Sequence, residues 1–420
     1  MNHDRVWWRI AWRNLWRHRS RTLITASGLG LGYMASVVMV GLSDGMAAEL
    51  IENGTRLVIG QIQIHAPDYL PERKMYATIG GDAGTDVDSL LARVEREPDV
   101  VAAAPRLYGG GLVSSGENTR AGLLMGVDPD REARVTRLMQ SVTGPGWSAG
   151  GVREIILGKE LARQLSLSIG DEVVLVAPAA DGSLGNDLYT LVGLLDTGTP
   201  GMDGNYGLLR LGDLQELLAM GPGLIHEVVI RVTRPWDTRA IAAQLQKELD
   251  THDPPVDVRP WQEMRPEVAE SVALMDSMYF LIILIIFAMA VFGVANAMII
   301  GAFERRKEFA VVQALGVTGR NLSRTVVYEG VILGALSLLA GAALTFPLMV
   351  WWHNAPPDLS GLVGSFTWSG STWRPILRVE YSVRGPMMSA LALFITAVVA
   401  ALYPAWKTTR IPPADALSDR

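Results

Sequence analysis

The 420-residue sequence contains no cysteine and only six histidines. The absence of cysteine excludes disulfide bonds, thiolate metal sites and cysteine nucleophiles. The histidines are scattered, with no pair four residues apart and no group of carboxylates beside them, so we do not expect a metal centre. The sequence also lacks a Gly-x4-Gly-Lys-Ser/Thr motif. We therefore do not expect the chain to hold nucleotide phosphates on its own.

An excess of basic charge is missing as well. Lysine and arginine total 37 against 43 aspartates and glutamates, a formal charge of -6, so no overall positive field is available to attract nucleic acid. Apolar residues are abundant, because 49% of the residues are hydrophobic and the mean hydropathy is positive. This composition indicates membrane segments in a chain long enough for two domains.

Four stretches are apolar enough to cross a hydrocarbon core, which requires roughly 20 helical residues. They predict transmembrane helices at 23–46, 277–303, 325–352 and 387–406. The first stretch also resembles a signal peptide, since arginines precede it and "GMAAEL" follows it. Its apolar run exceeds the roughly 7–15 residues that are usual in signal peptides, so we expect it to remain in the membrane.

Arginines in the connecting segments predict the orientation. They are concentrated before the first span and in the segment 304–324, and basic residues of short loops remain on the cytoplasmic side. The sequence thus predicts a multi-pass membrane protein with both termini in the cytoplasm. The tail 407–420 is then cytoplasmic, and the loop 353–386 lies outside.

Residues 47–276 alternate strand-like and helix-like patterns. We therefore predict an α-helical membrane protein with four transmembrane helices plus an α+β extracytoplasmic domain inserted between helices 1 and 2. Short strands and turns at about 150–215 predict a β-rich subdomain within it. The later segment "HEVVIRVTRPWDTRAIAAQLQKEL" predicts a strand and an amphipathic helix that return to the first framework.

The arginine- and tryptophan-rich opening, residues 1–22, predicts a cytoplasmic amphipathic helix on the membrane surface. Three tryptophans recur every fourth residue, with Ala11 and Leu15 on the same side and arginines on the adjoining arc. An aromatic face beside a basic one suits an anionic leaflet, whereas a nucleic-acid-binding arm gains nothing from these tryptophans. The predicted interfacial anchor comprises Trp8, Trp12, Trp16, Arg9 and Arg13.

Glycine and serine motifs in the spans predict packing rather than chemistry. Ser43 matches the Gly-x-Ser-x-Gly pattern of hydrolases, but that pattern requires a strand-to-helix elbow, and Ser43 follows a membrane segment. The stretch "GLGLG" has no preceding strand, so a dinucleotide fold is not expected. Its Gly28 and Gly32 instead predict the close approach of another helix. The same spacing recurs at Gly41/Gly45 and Gly330/Gly334.

The segment 303–330 contains two further features. "FAVVQALG" predicts a short apolar helix that ends at Gly316, and such a helix requires a partner protein or the membrane surface to bury against. Glu329 lies within the third apolar stretch, close to Arg324. We expect this carboxylate to pair with a basic neighbour near the interface, with a role in coupling as the alternative.

Several motifs resemble those of FtsX-like, type VII ABC transporter permeases. "ERRKEFAVVQALG" resembles the helix that docks on the ATPase in that family. The opening "RIAWRNLWRHRSRT" resembles the family's R-x-x-x-R-N-L-x-R-x-x-x-R-T start, and "YPAWKTTRIPPADAL" resembles its ending. "GQIQIHAPDYL" and "MGVDPDRE" further resemble the lipoprotein-releasing, LolC/LolE-like subgroup, which is related to MacB. The sequence departs from the family in "EFAVV", where many members have Ile-Gly, and in its long loop between spans three and four.

The resemblance implies a permease subunit without its own nucleotide site or cofactor, paired with a second copy or a paralogue. Partner ABC ATPase subunits would bind ATP and magnesium, and the transporter would release lipoproteins or lipids from a bacterial inner membrane. The large domain and the loop 353–386 would then be periplasmic, with a periplasmic carrier or adaptor as a further partner. The alternatives are a MacB-type tripartite efflux permease and an FtsX-type regulator of periplasmic partners. The implied ATPase contact comprises Glu304, Arg305, Lys307, Glu308, Gln313, Ala314, Leu315 and Gly316. The implied lining of a lipid-admitting cavity comprises Gly30, Met34, Val37, Met278 and Leu281.

Overall fold

The computed structural model describes residues 3–81, 86–250, 254–364, 366–368, 371–373, 376–380 and 382–408. The predicted tail therefore lies outside the described residues from position 409 onward. The α-helices are α1 His3–Arg17, α2 Arg19–Arg56, α3 Val87–Val94, α4 Pro129–Val135, α5 Lys159–Gln164, α6 Pro200–Asn205, α7 Leu211–Leu217, α8 Thr238–Leu249, α9 Trp261–Met264, α10 Pro266–Glu304, α11 Arg306–Ala314, α12 Gly319–Asn354, α13 Ser360–Val363 and α14 Arg384–Thr408.

The strands lie between α2 and α10, except for a short pair that follows α13. In chain order they are β1 Ile62–His65, β2 Val100–Ser114, β3 Thr119–Val127, β4 Val142–Thr143, β5 Glu154–Gly158, β6 Glu172–Pro178, β7 Leu184–Leu195, β8 Tyr206–Arg210, β9 Glu227–Val232, β10 Asp257–Pro260, β11 Phe366–Trp368 and β12 Ser371–Trp373. The chain divides into a helical unit, Met1–Ala47, Ala273–Val363 and Pro375–Arg420, and a sheet unit, Ala48–Val272 and Gly364–Arg374.

Four helices, α2, α10, α12 and α14, are long and apolar enough to cross a membrane. With 38 residues, α2 is about 57 Å long, whereas a hydrocarbon core is about 30 Å thick. Both α2 and α10 continue well beyond the predicted spans 23–46 and 277–303. An apolar run indicates only the part suited to lipid, while backbone hydrogen bonding extends the helix through polar residues such as "AAELIENGTR".

Glycines set the packing of the membrane helices. A Cβ on Gly330 or Gly334 of α12 would lie 2.7 Å or 2.9 Å from an alanine Cβ of α14, which confirms the predicted close approach at that pair. Among the described residues of this chain, no atom would lie within 4 Å of a Cβ on Gly28, and the nearest to a Cβ on Gly32 is Ile286 of α10 at 3.9 Å, so this chain makes no close helix contact at that pair. Instead Gly30, two residues and about 200° further round the helix, contacts α12.

The segment 376–380 packs back onto one end of the helical unit. Val379 is buried, and a Cβ on Gly41 would lie 2.8 Å from its side chain. The backbone amide of Glu380 donates to the Gly41 carbonyl at 3.1 Å, and the indole of Trp352 donates to the Leu377 carbonyl at 2.9 Å. Gly41 thus admits the connecting segment and also a side chain of another helix, since its Cβ would lie 2.9 Å from Met349 of α12.

A ten-stranded sheet organises the sheet unit, in the order β10-β1-β9-β2-β3-β8-β5-β7-β4, with β6 paired to β2 and β7. The pairs β3–β8 and β5–β7 are parallel. The long strand β2 pairs with β9 along its first half and with β6 at its end. One continuous strand therefore joins the two halves of the sheet.

Each half of the sheet has its own hydrophobic core. The first core is formed by β1, β9 and β10 with the inner faces of α3 and α8. The second is formed mainly by residues 155–218, from β5 to α7, together with the end of β2. As predicted, β9 and α8 return to the first framework, because β9 pairs with β1 and β2.

Candidate functional site

The short helix α11 has one buried face and one exposed face. Phe309 and Ala310 are buried, and Phe309 packs in a cluster with Leu322, Val326 and Ala405. On the opposite side the Val311 side chain is 47% exposed and the Leu315 side chain 81%. Positions 307, 311, 314 and 315 share one side of the helix by their spacing. We call this surface the exposed ridge; it comprises Lys307, Val311, Ala314 and Leu315.

Gly316 ends this helix, as the sequence predicts. Its φ angle is +96°, a left-handed conformation that strains any residue with a Cβ. The Gly316 amide donates to the Gln313 carbonyl at 2.9 Å, and the Leu315 amide donates to Val311 at 3.1 Å. These bonds satisfy carbonyl groups that the last helical turn leaves open. The glycine therefore fixes the end of the exposed ridge.

Three residues of the predicted ATPase contact pair within the chain instead of projecting freely. The closest nitrogen–oxygen distances are 2.6 Å for Arg21–Glu304, 2.8 Å for Arg17–Glu308 and 2.9 Å for Arg305–Glu329. Of the other five, Gln313 is half-buried, and the exposed residues are Lys307, Ala314, Leu315 and Gly316. The contact of all eight with an ATPase stays a prediction.

Glu329 receives two hydrogen bonds on a single oxygen. The Asn14 amide nitrogen and the Arg305 guanidinium lie 2.8 Å and 2.9 Å from Glu329 Oε1. This confirms the predicted pairing of Glu329 with a basic residue, although the partner is Arg305 rather than the nearby Arg324. The Arg305 and Glu329 side chains are only 13% and 11% exposed, and they border a cavity of about 70 Å³.

The three ion pairs differ in burial, and burial determines how much stability is lost when a pair is broken. The Arg17 and Glu308 side chains are 64% and 48% exposed, and pairs of this kind contribute about 0–1 kcal/mol. Breaking a buried pair typically costs about 3–5 kcal/mol, because one charge is left without compensation. With both side chains nearly buried, Arg305–Glu329 is closer to the second case.

The N-terminal helix α1 packs on α12 and exposes part of its aromatic face. The rings of Trp8 and Tyr328 stack with centroids 4.9 Å apart, while Trp12 and Trp16 contact each other edge to face at 5.8 Å. All three tryptophans retain substantial exposure, and Arg9 and Arg13 are exposed. Ala11 is buried against the protein, so the predicted apolar side is divided between protein and surroundings. Anchoring in the membrane interface stays a prediction.

The five predicted cavity residues do not share one surface. Gly30 lies against the backbone of Gly341 in α12, and Val37 is buried in the core of the helical unit. Met34 is half-buried, whereas Met278 and Leu281 of α10 are exposed. Within the described residues of this chain, these side chains therefore point both into the bundle and away from it.

The sheet unit contains a buried polar network that the sequence did not predict. Arg106 of β2 forms two hydrogen bonds with Glu132 of α4, at 2.9 Å and 2.6 Å. Its Nη1 lies 3.4 Å from Glu227 of β9, which also accepts a 2.7 Å bond from the Tyr108 hydroxyl. An arginine within the apolar strand "VVAAAPRLYGG" was the one available signal, since such a residue requires buried partners.

Two histidines extend this network. The rings of His65, Tyr69 and His226 form a stack with centroid separations of 5.4 Å. His226 Nδ1 accepts from the Tyr108 backbone amide at 3.0 Å, and His65 Nε2 lies 2.9 Å from Gln63 Oε1. Burial lowers the pKa of both imidazoles, which favours their neutral forms. These groups are engaged with one another, as expected of a network that stabilises the fold.

Two family models cover most of the chain. Residues 22–248 match the MacB-like periplasmic core domain, and residues 280–413 match the FtsX-like permease C-terminal domain. The first match includes more than half of the sequence and all of the ten-stranded sheet except β10. The second includes α11 and the exposed ridge.

Two relatives are similar to this chain over more than nine-tenths of its length. The lipoprotein-releasing system transmembrane protein LolC of Neisseria meningitidis is 23% identical over 412 residues, covering 94% of this chain and 93% of its own. LolE of Haemophilus influenzae is 22% identical over 424 residues, covering 97% and 98%. The periplasmic region of MacB from Actinobacillus actinomycetemcomitans covers 53% of this chain and 98% of its own, with 10% identity and a TM-score of 0.35. On the family models, this chain belongs to the FtsX-like ABC transporter permeases with a MacB-like periplasmic core domain.

Proposed function

We propose that this permease works with separate ABC ATPase subunits and a second permease, and that the complex releases lipoproteins or lipids from a bacterial inner membrane. Support for the cargo class comes from the relatives named LolC and LolE, which align over more than nine-tenths of this chain. In this proposal the ATPase subunits bind ATP and magnesium. The chain itself contributes the membrane path and the periplasmic domain.

The exposed ridge on α11 is the observation that carries the ATPase part of the proposal. A leucine side chain that is 81% exposed, next to an exposed valine, forms an apolar surface suited to protein contact. The opposite face of α11 is fixed by the buried Phe309. A rigid helix with one open apolar ridge transmits displacement when a partner pushes on it.

The proposed orientation places α11 and the N-terminal helix on the cytoplasmic side and the sheet unit in the periplasm. The segment 304–324 is then the cytoplasmic loop that meets the ATPase. The exposed face of α10 with Met278 and Leu281 would meet lipid or the second permease. Trp12 and Trp16 would lie in the interface of the inner leaflet.

Reconstitution tests the proposed cargo. The chain, its second permease and its ATPase are placed in proteoliposomes that contain a fluorescent triacylated lipoprotein, and a soluble lipoprotein carrier is added to the medium. We expect the lipoprotein to appear in the soluble fraction, bound to a carrier, with ATP but not with a non-hydrolysable analogue. Sustained ATP hydrolysis without any release would exclude lipoprotein release as the function.

The match of residues 22–248 to the MacB-like periplasmic core domain favours tripartite efflux as the second candidate. The same vesicles distinguish it, because an efflux permease would move a soluble amphiphile only when a periplasmic adaptor is added. An FtsX-type regulator would instead capture a periplasmic partner without release of either cargo.

A further inference from the structure

The opening helices and the segment around α11 are joined by a row of polar contacts. Asn14, Arg17 and Arg21 are spaced by three and four residues, so they lie along one side of a helical path. Asn14 contacts Glu329, Arg17 contacts Glu308, and Arg21 contacts Glu304. Two stretches that lie 283 to 315 positions apart in the sequence are thereby held side by side.

Glu329 is the residue of this row that contacts two other elements. Its Oε1 accepts from Asn14 on α1 at 2.8 Å and from Arg305, which directly precedes α11, at 2.9 Å. The guanidinium of Arg305 also lies 4.9 Å from the ring centroid of Phe309. Phe309 is the buried residue that packs α11 against α12. One carboxylate on α12 therefore binds both neighbouring elements, whereas the Arg17 and Arg21 pairs are more exposed to water.

We propose that Glu329 is a positioning residue that ties the N-terminal helix α1 and the ridge helix α11 to the membrane helix α12. The three elements then move together. A displacement of α11 therefore moves α12 as well, instead of being absorbed by the short connection between these two helices. This inference rests on the proposed function, since it assigns a route by which ATPase movement enters the membrane. The stacked rings of Trp8 and Tyr328 support the same link from α1 to α12.

Crosslinking tests the positioning role without any ATPase. The chain contains no cysteine, so Arg17→Cys with Glu308→Cys gives a single reactive pair for a short bifunctional reagent. We expect efficient crosslinking in the parent chain and at least a threefold lower yield when Glu329→Gln is added. The matched control, Arg13→Cys with Arg17→Cys within α1, should react equally with and without Glu329→Gln. Equal yields for the Arg17/Glu308 pair in both backgrounds would overturn the proposal.

Transport in the complete complex provides a second readout. With Glu329→Gln we expect the ATPase to bind and hydrolyse ATP, while cargo released per ATP falls by roughly two- to thirty-fold, the range of coupling along packed networks. An unchanged ratio would overturn the proposal. If Glu329→Gln does not assemble, Asn14→Leu, which removes one donor and no charge, must lower both the ratio and the crosslinking yield.

The two proposals fail in different ways. If Glu329→Gln lowers the Arg17/Glu308 crosslinking yield as expected but the parent chain binds no ATPase, the proposed function fails and the positioning role of Glu329 stands. If the parent complex transports cargo and Glu329→Gln does so with equal efficiency, the positioning role fails and the proposed function stands.

Discussion

Gly30 and Gly341 lie back to back at the contact between helices α2 and α12. A Cβ on Gly341 would lie 2.8 Å from the Gly30 carbonyl oxygen and 2.9 Å from the Tyr33 ring. A Cβ on Gly30 would lie 3.2 Å from the Gly341 amide nitrogen. The absence of side chains at both positions lets the two backbones touch, which is how membrane helices gain packing energy.

We expect Gly341→Ala to destabilise the helical unit by about 1–3 kcal/mol, the usual cost of overpacking. Helix propensity alone predicts the opposite sign, since alanine is favoured over glycine by about 1 kcal/mol. Thermal unfolding in detergent measures the difference. Gly28→Ala is the matched control on α2, because its Cβ would meet no atom within 4 Å. An equal or higher Tm for Gly341→Ala would contradict this packing.

The buried arginine of the sheet unit predicts a large stability effect. Arg106→Met leaves Glu132 and Glu227 buried without their cation, so we expect the free energy of unfolding to fall by about 3–5 kcal/mol. Urea unfolding of the full chain, followed by hydrogen exchange in β2, measures this loss. Arg234→Ala, which breaks the exposed pair with Asp99, should cost less than about 1 kcal/mol. Similar losses in both variants would show that the Arg106 network is not the stronger contact.

The two buried histidines predict a pH dependence of the sheet unit. Burial lowers the pKa of His65 and His226 in the folded chain, although Glu227 acts in the opposite direction, whereas an unfolded histidine titrates near about 6.5. The unfolded state therefore takes up more protons below that pH. Stability is full above about pH 6.5 and falls as the pH decreases, by at most about 1.4 kcal/mol per pH unit for each histidine.

Hydrogen exchange in β9 between pH 7.5 and 5.5 checks this dependence. His65→Gln should reduce the slope of stability against pH, because one imidazole no longer contributes to proton uptake on unfolding. His18→Gln, in the helical unit, controls for loss of a histidine elsewhere. If the slope of stability against pH is the same in His65→Gln as in the parent chain, His65 does not contribute to the pH dependence.

Local patterns predicted much of this fold, because they depend on neighbouring residues. Apolar runs located four membrane helices, and helical spacing followed by glycine located α11 and its end at Gly316. The approach at Gly330 and Gly334 followed from small residues one turn apart. The contact at Gly30 did not, since the partner helix, not the sequence of α2, decides which side faces it.

Contacts between distant residues were not predictable from the sequence. Arg17 and Glu308 are 291 positions apart, and each belongs to a motif that was recognised separately. The resemblance of "ERRKEFAVVQALG" assigned Glu304, Arg305 and Glu308 to an ATPase contact, while the structure pairs all three within the chain. The network of Arg106 was likewise not predictable, because its acidic partners lie on α4 and β9.

The equilibrium affinity of the partner ATPase for the detergent-solubilised permease tests the central claim most directly. Leu315→Glu places a charge at the most exposed apolar residue of the ridge, and we expect it to weaken binding at least about tenfold, which corresponds to about 1.4 kcal/mol. Leu315→Met keeps the apolar contact and should bind like the parent. If Leu315→Glu binds the ATPase as tightly as the parent chain does, the exposed ridge is not the docking surface.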